Sequence, residues 1–438
     1  MKRSKRETFI GKWGLWIIGI VFPVFVSAQT PKHYTLDELV HLANERYPYA
    51  SQLGLVNRQN AESQKSIDTQ WLPHASALVK SSYQSEVSSI SIPKEIESKF
   101  GIDIGEGKKL QYQGGVSVSQ LVYDGGSGHI QKKINGLSSD MQTRQIKSSM
   151  LQVEDEIDNL FETVLVLKEQ IKIVQFKQAD LKLRKKDVSY AIQNGISLKT
   201  DMQEIDASII QLGQQETELT MSLFQRYVEL SSFVQEPVDS TVVFELPQSM
   251  DITDKDYSTR PDYEMFALQL QNAEWKMKEV NAEMIPRLTL FANGYYGRPG
   301  LNMMDYTTHY SGIVGVSLAW NLDALYSNTH RRNLIKIDKE MTRNRQSIYQ
   351  INMNKQIDDL DIDLSKNRKL ADSDDEMVKI RSNIKEVASI QLKNGTLTLT
   401  DYLIKLNDEA QAMINKSIHR IGYLMDGAKM KTLLNKNN

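Results

Sequence analysis

The chain of 438 residues contains no cysteine. This excludes structural disulfides, thiolate metal sites and a lipid-modified cysteine behind a secretion signal, so any membrane attachment has to come from the fold itself. Proline is scarce at 10 residues, and the polar, helix-favouring composition reads as mostly helix. Beyond the first 28 residues no stretch approaches the roughly 20 apolar residues that a spanning helix requires. The mature chain is therefore either soluble or crosses a membrane as β-strands. Net charge is only -2, with both signs interspersed, and nothing in it points to nucleic acid.

Reactive chemistry is missing too. There is no glycine-rich phosphate loop and no nucleophile elbow, and the seven histidines (33, 41, 74, 129, 309, 330 and 419) fall at no metal-ligand spacing. Asp359, Asp361 and Asp363 alternate like the start of a calcium loop, but Leu364 stands where the sharp turn needs glycine. These acids read instead as a solvated or lumen-facing helix surface, and Asp372, Asp374, Asp375 and Glu376 read the same way. No catalytic, cofactor-binding or metal residue is expected, and the chain is not read as an enzyme.

What is present starts with a leader. Lys2, Arg3, Lys5, Arg6 and Lys12 precede an apolar run over 13–26, and Val26-Ser27-Ala28 offers a small-residue cleavage site. Residues 1–28 are expected to be a signal peptide. An uncleaved anchor fits less well, because the run is short and broken by Gly14, Gly19 and Pro23.

The remainder is one unit written twice. Gly115-Val116-Ser117-Val118 recurs as Gly315-Val316-Ser317-Leu318, and 315 minus 115 gives an offset of 200. Asn194-Gly195 followed by Thr200-Asp201 recurs at the same offset as Asn394-Gly395 followed by Thr400-Asp401. Pro48 and Pro73 are separated as Pro261 and Pro286 are. Such ordered landmarks mark a duplication, with repeats over 29–245 and 246–438 joined through a polar linker around 236–259. Each half opens on a helix signal, the capping box Thr35-Leu36-Asp37-Glu38 and the first-turn proline of Arg260-Pro261-Asp262.

Within each repeat the period changes from two to three and a half. Leu110, Tyr112, Gly114, Val116 and Val118 alternate with Gln111, Gln113, Gly115, Ser117 and Ser119, and Tyr310, Gly312, Val314, Val316, Leu318 and Trp320 alternate with polar partners. Strands over 75–83 and 288–296 alternate less cleanly. About ten residues per strand suits a tilted bilayer crossing, with Tyr83, Tyr112, Tyr296, Tyr310 and Trp320 as interfacial anchors. Four strands cannot close a barrel alone, so strands that span lipid demand an oligomer. A soluble sheet half-buried on a helix shares the alternation.

After the strands come heptads. Ile146, Met150, Val153, Ile157, Leu160, Val164, Leu167, Ile171 and Val174 step by four and three along a proline-free stretch on the order of 100 Å long. Ile357, Leu360 and Leu364, then Met377, Ile380, Ile384 and Val387, answer in the second half. Asn-Gly stops each long helix, and return helices carry Met202, Ile205, Ile209 and Leu212, or Leu403, Leu406, Ala410 and Met413.

Leader, duplication, strand pairs, helical hairpins, the Arg260-Pro261-Asp262 opening and the strand exit Leu121-Val122-Tyr123-Asp124-Gly125-Gly126 together resemble the TolC family of outer membrane factors. The resemblance covers essentially the whole mature chain, through the order and spacing of its motifs. It implies a mainly α fold with a transmembrane β part, in which a homotrimer closes one twelve-stranded barrel continued by an α-helical tunnel in the periplasm. It also implies an outer-membrane exit duct for small-molecule efflux, partnered by a periplasmic membrane-fusion adaptor and a proton-driven or ATP-driven inner-membrane pump.

Carried over by position, the adaptor-docking tips are Gly195, Ile196, Ser197 and Leu198, with Gly395, Thr396, Leu397, Thr398 and Leu399. Asp401 takes the place of a periplasmic pore constriction, but Ile404 stands where a second acid follows, a departure from a double-acid gate. Asp201 reads as a helix cap or secondary pore acid. Without the resemblance the tips are ordinary interhelical turns. The competing functions are a periplasmic coiled-coil adaptor or scaffold, and the exit duct of a type I protein secretion system.

Overall fold

The computed structural model describes residues 32–87, 96, 99, 101, 108–195, 197–248, 252–302, 305 and 307–436. The leader at 1–28, the docking-tip residue Ile196 and most of the surface loop at 86–109 lie outside the described residues.

Two short strands, β1 (His33–Tyr34) and β4 (Val243–Phe244), pair in parallel and tie the start of the chain to the inter-repeat linker. Alternation could not reveal pieces of two residues, so the described residues hold six strands where four were expected. Thr35 caps α1 (Leu36–Arg46) through both arms of the capping box, its hydroxyl accepting from the Glu38 N–H and the Glu38 carboxylate accepting from the Thr35 N–H. Pro48 then opens α2 (Pro48–Asp68), and Pro73 immediately precedes β2 (His74–Tyr83). In the second repeat Pro261 opens α5 (Pro261–Ala282) and Pro286 precedes β5 (Arg287–Arg298). The helix start equivalent to Pro261 is therefore Pro48 and not the Thr35 capping box; α1 belongs to the first repeat alone.

The remaining strands are β3 (Leu110–Tyr123), which runs beyond the alternation read to Ser119, and β6 (His309–Ala319), which ends one residue before Trp320. All four long strands form one antiparallel sheet in the order β2-β3-β5-β6. Register makes its two faces distinct. Ala77 lies opposite Val116, Val116 opposite Gly294, and Leu290 opposite Val316. Following these pairs places Ala75, Val79, Val118, Leu288, Val314 and Leu318 on one face. The other face carries Ser76, Lys80, Gln113, Ser117, Asn293, Ser311 and Ser317.

Gly115 and Gly315, which begin the repeated Gly-Val-Ser run, sit on the polar face beneath aromatic rings. A Cβ on Gly115 would come within 2.5 Å of the Tyr295 ring, and one on Gly315 within 2.7 Å of the Phe291 ring. The two repeats use the same device, an aromatic side chain laid over a glycine of the neighbouring strand.

Asp124 turns the chain from sheet to helix. Its buried carboxylate accepts from the N–H groups of Gly126 and Gly128 at 2.8 and 2.5 Å, and Gly125 and Gly126 take positive φ, opening α3 (Ser127–Gln193). Helix α3 returns as α4 (Lys199–Val234), and α6 (Ala324–Lys393) returns as α7 (Leu399–Leu433). With 67 and 70 residues, α3 and α6 are each about 100 Å long.

Seam residues Val153, Ile157, Leu160, Val164, Val174, Leu181 and Val188 are buried, while Ile146, Met150, Leu167 and Ile171 are half-buried. Phe161 and Leu165 are buried as well, so α3 packs on more than one face: α1, α4 and α7 all bear on it. The seam of α6 differs. Ile357 is buried, yet Met377, Ile380, Ile384 and Val387 are exposed. No helix among the described residues is long and apolar enough to cross a membrane.

Candidate functional site: the sheet faces and the hairpin tips

Both faces of the sheet lie open in the single chain, including its apolar one. Val79, Val314 and Tyr310 are 86%, 83% and 84% exposed, values that no water-soluble core would leave. Aromatic residues gather at the loop end of the apolar face, where the Tyr296 and Tyr310 rings stand 4.6 Å apart and Arg298 stacks 4.8 Å from the Tyr112 ring. Trp320 marks the other end and donates its indole N–H to the Met284 carbonyl at 2.9 Å. Ten residues separate Tyr310 from Trp320; at the usual strand rise and a tilt of about 40° that spans about 26 Å, the height of the apolar band on membrane barrels. The outer edges of β2 and β6 have no partner strand among the described residues.

The helices carry uncovered stripes of their own. On α6, Leu334, Ile337, Met341, Ile348 and Ile351 are exposed at heptad spacing. On α4, Met221, Phe224 and Val228 are exposed at steps of three and four. These edges have the pattern of a coiled-coil interface, and nothing among the described residues covers them.

At the far end of the hairpins Gly195 and Gly395 take φ of +73° and +71°, the left-handed conformation that ends a helix after Asn194 and Asn394. Both following acids act as caps. The Leu198 N–H donates to Asp201 Oδ2 at 2.9 Å, and the Thr398 hydroxyl accepts from the Asp401 N–H at 3.1 Å while donating to Asp401 Oδ2 at 2.7 Å. Asp401 remains exposed. The Thr400 hydroxyl reaches Glu204 Oε1 at 3.4 Å, so the two tips lie side by side. Beside the second tip an open groove of about 320 Å³ is lined by Ile384, Val387, Ala388 and Leu397 with Asn383, Gln391 and Lys405.

A few turns above the tips, polar side chains join the two hairpins inside an otherwise apolar seam. Tyr402, fully buried on α7, donates its hydroxyl to Asp180 on α3. Lys385 on α6 sits 3.2 Å from Glu409 Oε2 and 3.9 Å from Asp180 Oδ1, over the Phe176 ring, and Arg184 faces the Tyr402 ring. Burial and the Asp180 carboxylate push the Tyr402 hydroxyl far above its ordinary value, which keeps it a donor.

Sequence reading missed this cluster, although a signal for it exists. At the repeat offset of 200, Asp180, Arg184, Tyr402 and Glu409 correspond to Ile380, Ile384, Met202 and Ile209. The polar latch occupies positions where the duplicated sequence has lost its symmetry.

Higher up, Asp158 is buried between α3 and α7. It accepts from the Thr432 hydroxyl at 2.7 Å, and its Oδ1 has no hydrogen-bond partner among the described residues. Burial pushes its pKa up to about 7, helped by Asp155 and Glu154 and opposed by Thr432 and Lys429. Four of the acids expected on a solvated or lumen-facing surface form ion pairs: Asp374 meets His419 at 2.7 Å and Asp375 pairs with Lys416, both joining α6 to α7, while Asp361 pairs with Lys255 and Asp363 with Lys366.

A small open sheet with an apolar face, carried on two paired helical hairpins of about 100 Å, defines the fold of the TolC-type outer membrane channels. The chain superposes on the CmeC outer membrane channel of Campylobacter jejuni with a TM-score of 0.70 at 14% identity, covering 91% of this chain and 85% of that one. The outer membrane protein VceC of Vibrio cholerae gives 0.69 at 12% identity, covering 91% and 95%. The open state of the MtrE outer membrane channel of Neisseria gonorrhoeae gives 0.67 at 12% identity, covering 91% and 88%. No protein-family model matches the sequence, and no curated protein matches it.

Proposed function

We propose that this chain is the outer-membrane exit duct of a tripartite export system in a Gram-negative bacterium. Three copies close one twelve-stranded barrel in the outer membrane, and their hairpins form a tunnel through the periplasm. The observation that carries this reading is the sheet: an exposed apolar face and, among the described residues, two unpaired edges and no long helix packed on either side. In lipid each unpaired backbone group costs several kcal/mol, so the edges of one copy need the edges of another. The exposed stripes on α4 and α6 support the same closure along the tunnel.

The tips Gly195–Leu198 and Gly395–Leu399 dock a periplasmic adaptor, and the apolar groove beside Leu397 suits the apolar residues of its helices. Energy comes from an inner-membrane pump, proton-driven or ATP-driven, and the cargo is a small molecule. Asp401, exposed just past the second tip, lines the periplasmic constriction, while Asp201 is chiefly a helix cap. Opening separates the hairpins near the tips, which breaks the Tyr402–Asp180 and Lys385–Asp180 contacts.

Crosslinking in fractionated membranes tests the proposal. The expected result is a trimer in the outer-membrane fraction. A monomer in the soluble periplasmic fraction would leave the scaffold reading in its place.

A further inference from the structure

The four long strands comprise 10, 14, 12 and 11 residues, and none of these is aspartate or glutamate. Acids make up 55 of the 438 residues of the chain, so about six would fall in 47 residues placed without regard to structure. Strands disfavour lysine as they do acids, yet three cations remain. Arg298 lies on the apolar face at its loop end, stacked on Tyr112. The other two lie on the polar face. Lys80 lies opposite Gln113, and Arg287 lies opposite Ala319 at the base of β5. Both are exposed, and neither has a carboxylate within ion-pair reach among the described residues. His74 and His309 are the remaining titratable side chains of this face, apart from Tyr295.

Resting on the duct reading, we infer that Lys80 and Arg287 form cationic rings in the barrel lumen and make the exit segment selective for anionic over cationic cargo. Closure of twelve strands tilted by about 40° and spaced about 4.8 Å apart gives a backbone radius of about 12 Å. A lysine reaching inward brings its ammonium group to within about 6 Å of the axis, less than the Debye length of about 8 Å at physiological salt. The wall charge is therefore felt across the whole bore, as in anion pores lined by Lys or Arg. Three screened ammonium groups at that distance enrich a monovalent anion on the axis about fivefold. The substrate class this favours is an amphiphile bearing a carboxylate, sulfate or phosphate, whose apolar part slides past Phe291, Tyr295, Leu78 and Ile313 on the same face.

Because the chain has no cysteine, Lys80→Cys creates a unique thiol that is modified after the pore has assembled. The purified full chain in planar bilayers under a KCl gradient gives the chloride-to-potassium permeability ratio from the reversal potential. Labelling Lys80→Cys from the water phase with an anionic methanethiosulfonate is expected to lower this ratio at least about fivefold relative to labelling with a cationic one. Equal ratios with the two reagents, or a thiol that neither reaches, overturn the inference while the pores themselves uphold the duct. A wild-type chain that inserts no pores removes the duct reading and this inference with it. Lys80→Gln with Arg287→Gln, where side-chain size is nearly kept, is expected to move the ratio in the same direction by a smaller factor.

Discussion

Tyr402→Phe removes one hydroxyl from a side chain that is fully buried and otherwise keeps its packing. The lost interaction is a hydrogen bond to the Asp180 carboxylate, a class worth about 1.5–3 kcal/mol. Lys385 remains 3.9 Å from the same carboxylate and compensates part of the loss, which places the cost near the lower end, about 1.5 kcal/mol. If the hairpins separate here when the tunnel opens, the separated state gains that amount relative to the packed one. Since about 1.4 kcal/mol is a factor of ten, each protomer's opening equilibrium shifts about tenfold.

Recordings of single pores in planar bilayers read the shift as a rise in open probability. The repeat supplies a control, because Met202 holds the equivalent place in the first hairpin, and Met202→Leu leaves the latch intact. Tyr402→Phe pores that assemble as wild type and open no more often would refute the latch. Tyr402→Ala is a poorer probe, because the cavity it leaves costs about 3–5 kcal/mol by itself.

The two faces of the sheet make opposite predictions for one substitution. If three copies close a barrel in lipid, Val316→Lys on the apolar face is expected to cost about 2–4 kcal/mol and to deplete assembled trimer in membranes, whereas Ser317→Lys one residue on is expected to assemble normally; equal yields would contradict the assignment of faces. Gly115→Val drives a side chain into Tyr295 and the Gly294 carbonyl, an overpacking worth about 1–3 kcal/mol that should lower the temperature at which trimers dissociate on gels. Asp158 predicts a pH dependence. Its pKa is raised from 3.8 to about 7 in the fold, so the fold binds the proton more tightly than the unfolded chain. The stability this gives is fully present below about pH 4, falls as pH rises through about 7, and amounts to on the order of 4 kcal/mol. Thermal melts of Asp158→Asn at pH 5 and pH 8 should show that fall diminished, and an unchanged difference between the two pH values would rule out Asp158 as its source.

Features whose information is local and periodic can be read from the residues alone. Heptads over 146–174 specify a long helix because each apolar side chain recurs on one face, and Gly195 and Gly395 stop the helices because the left-handed turn suits a residue without Cβ. The equally spaced prolines were legible as well: Pro48 and Pro261 open α2 and α5, and Pro73 and Pro286 immediately precede β2 and β5.

Features that depend on partners far apart in the chain come from tertiary packing. Ala75, Val118, Leu288 and Leu318 share one face because register aligns four strands from two repeats, and the weak alternation of β2 and β5 could not show this alone. Tyr402 and Asp180 meet across 222 positions, a pairing that no period encodes. The exposed half of the α6 seam is likewise apolar in sequence and uncovered in the fold. Periodicity states that a face is to be buried; its partner is set by how the two hairpins pack, and here one face stays uncovered among the described residues.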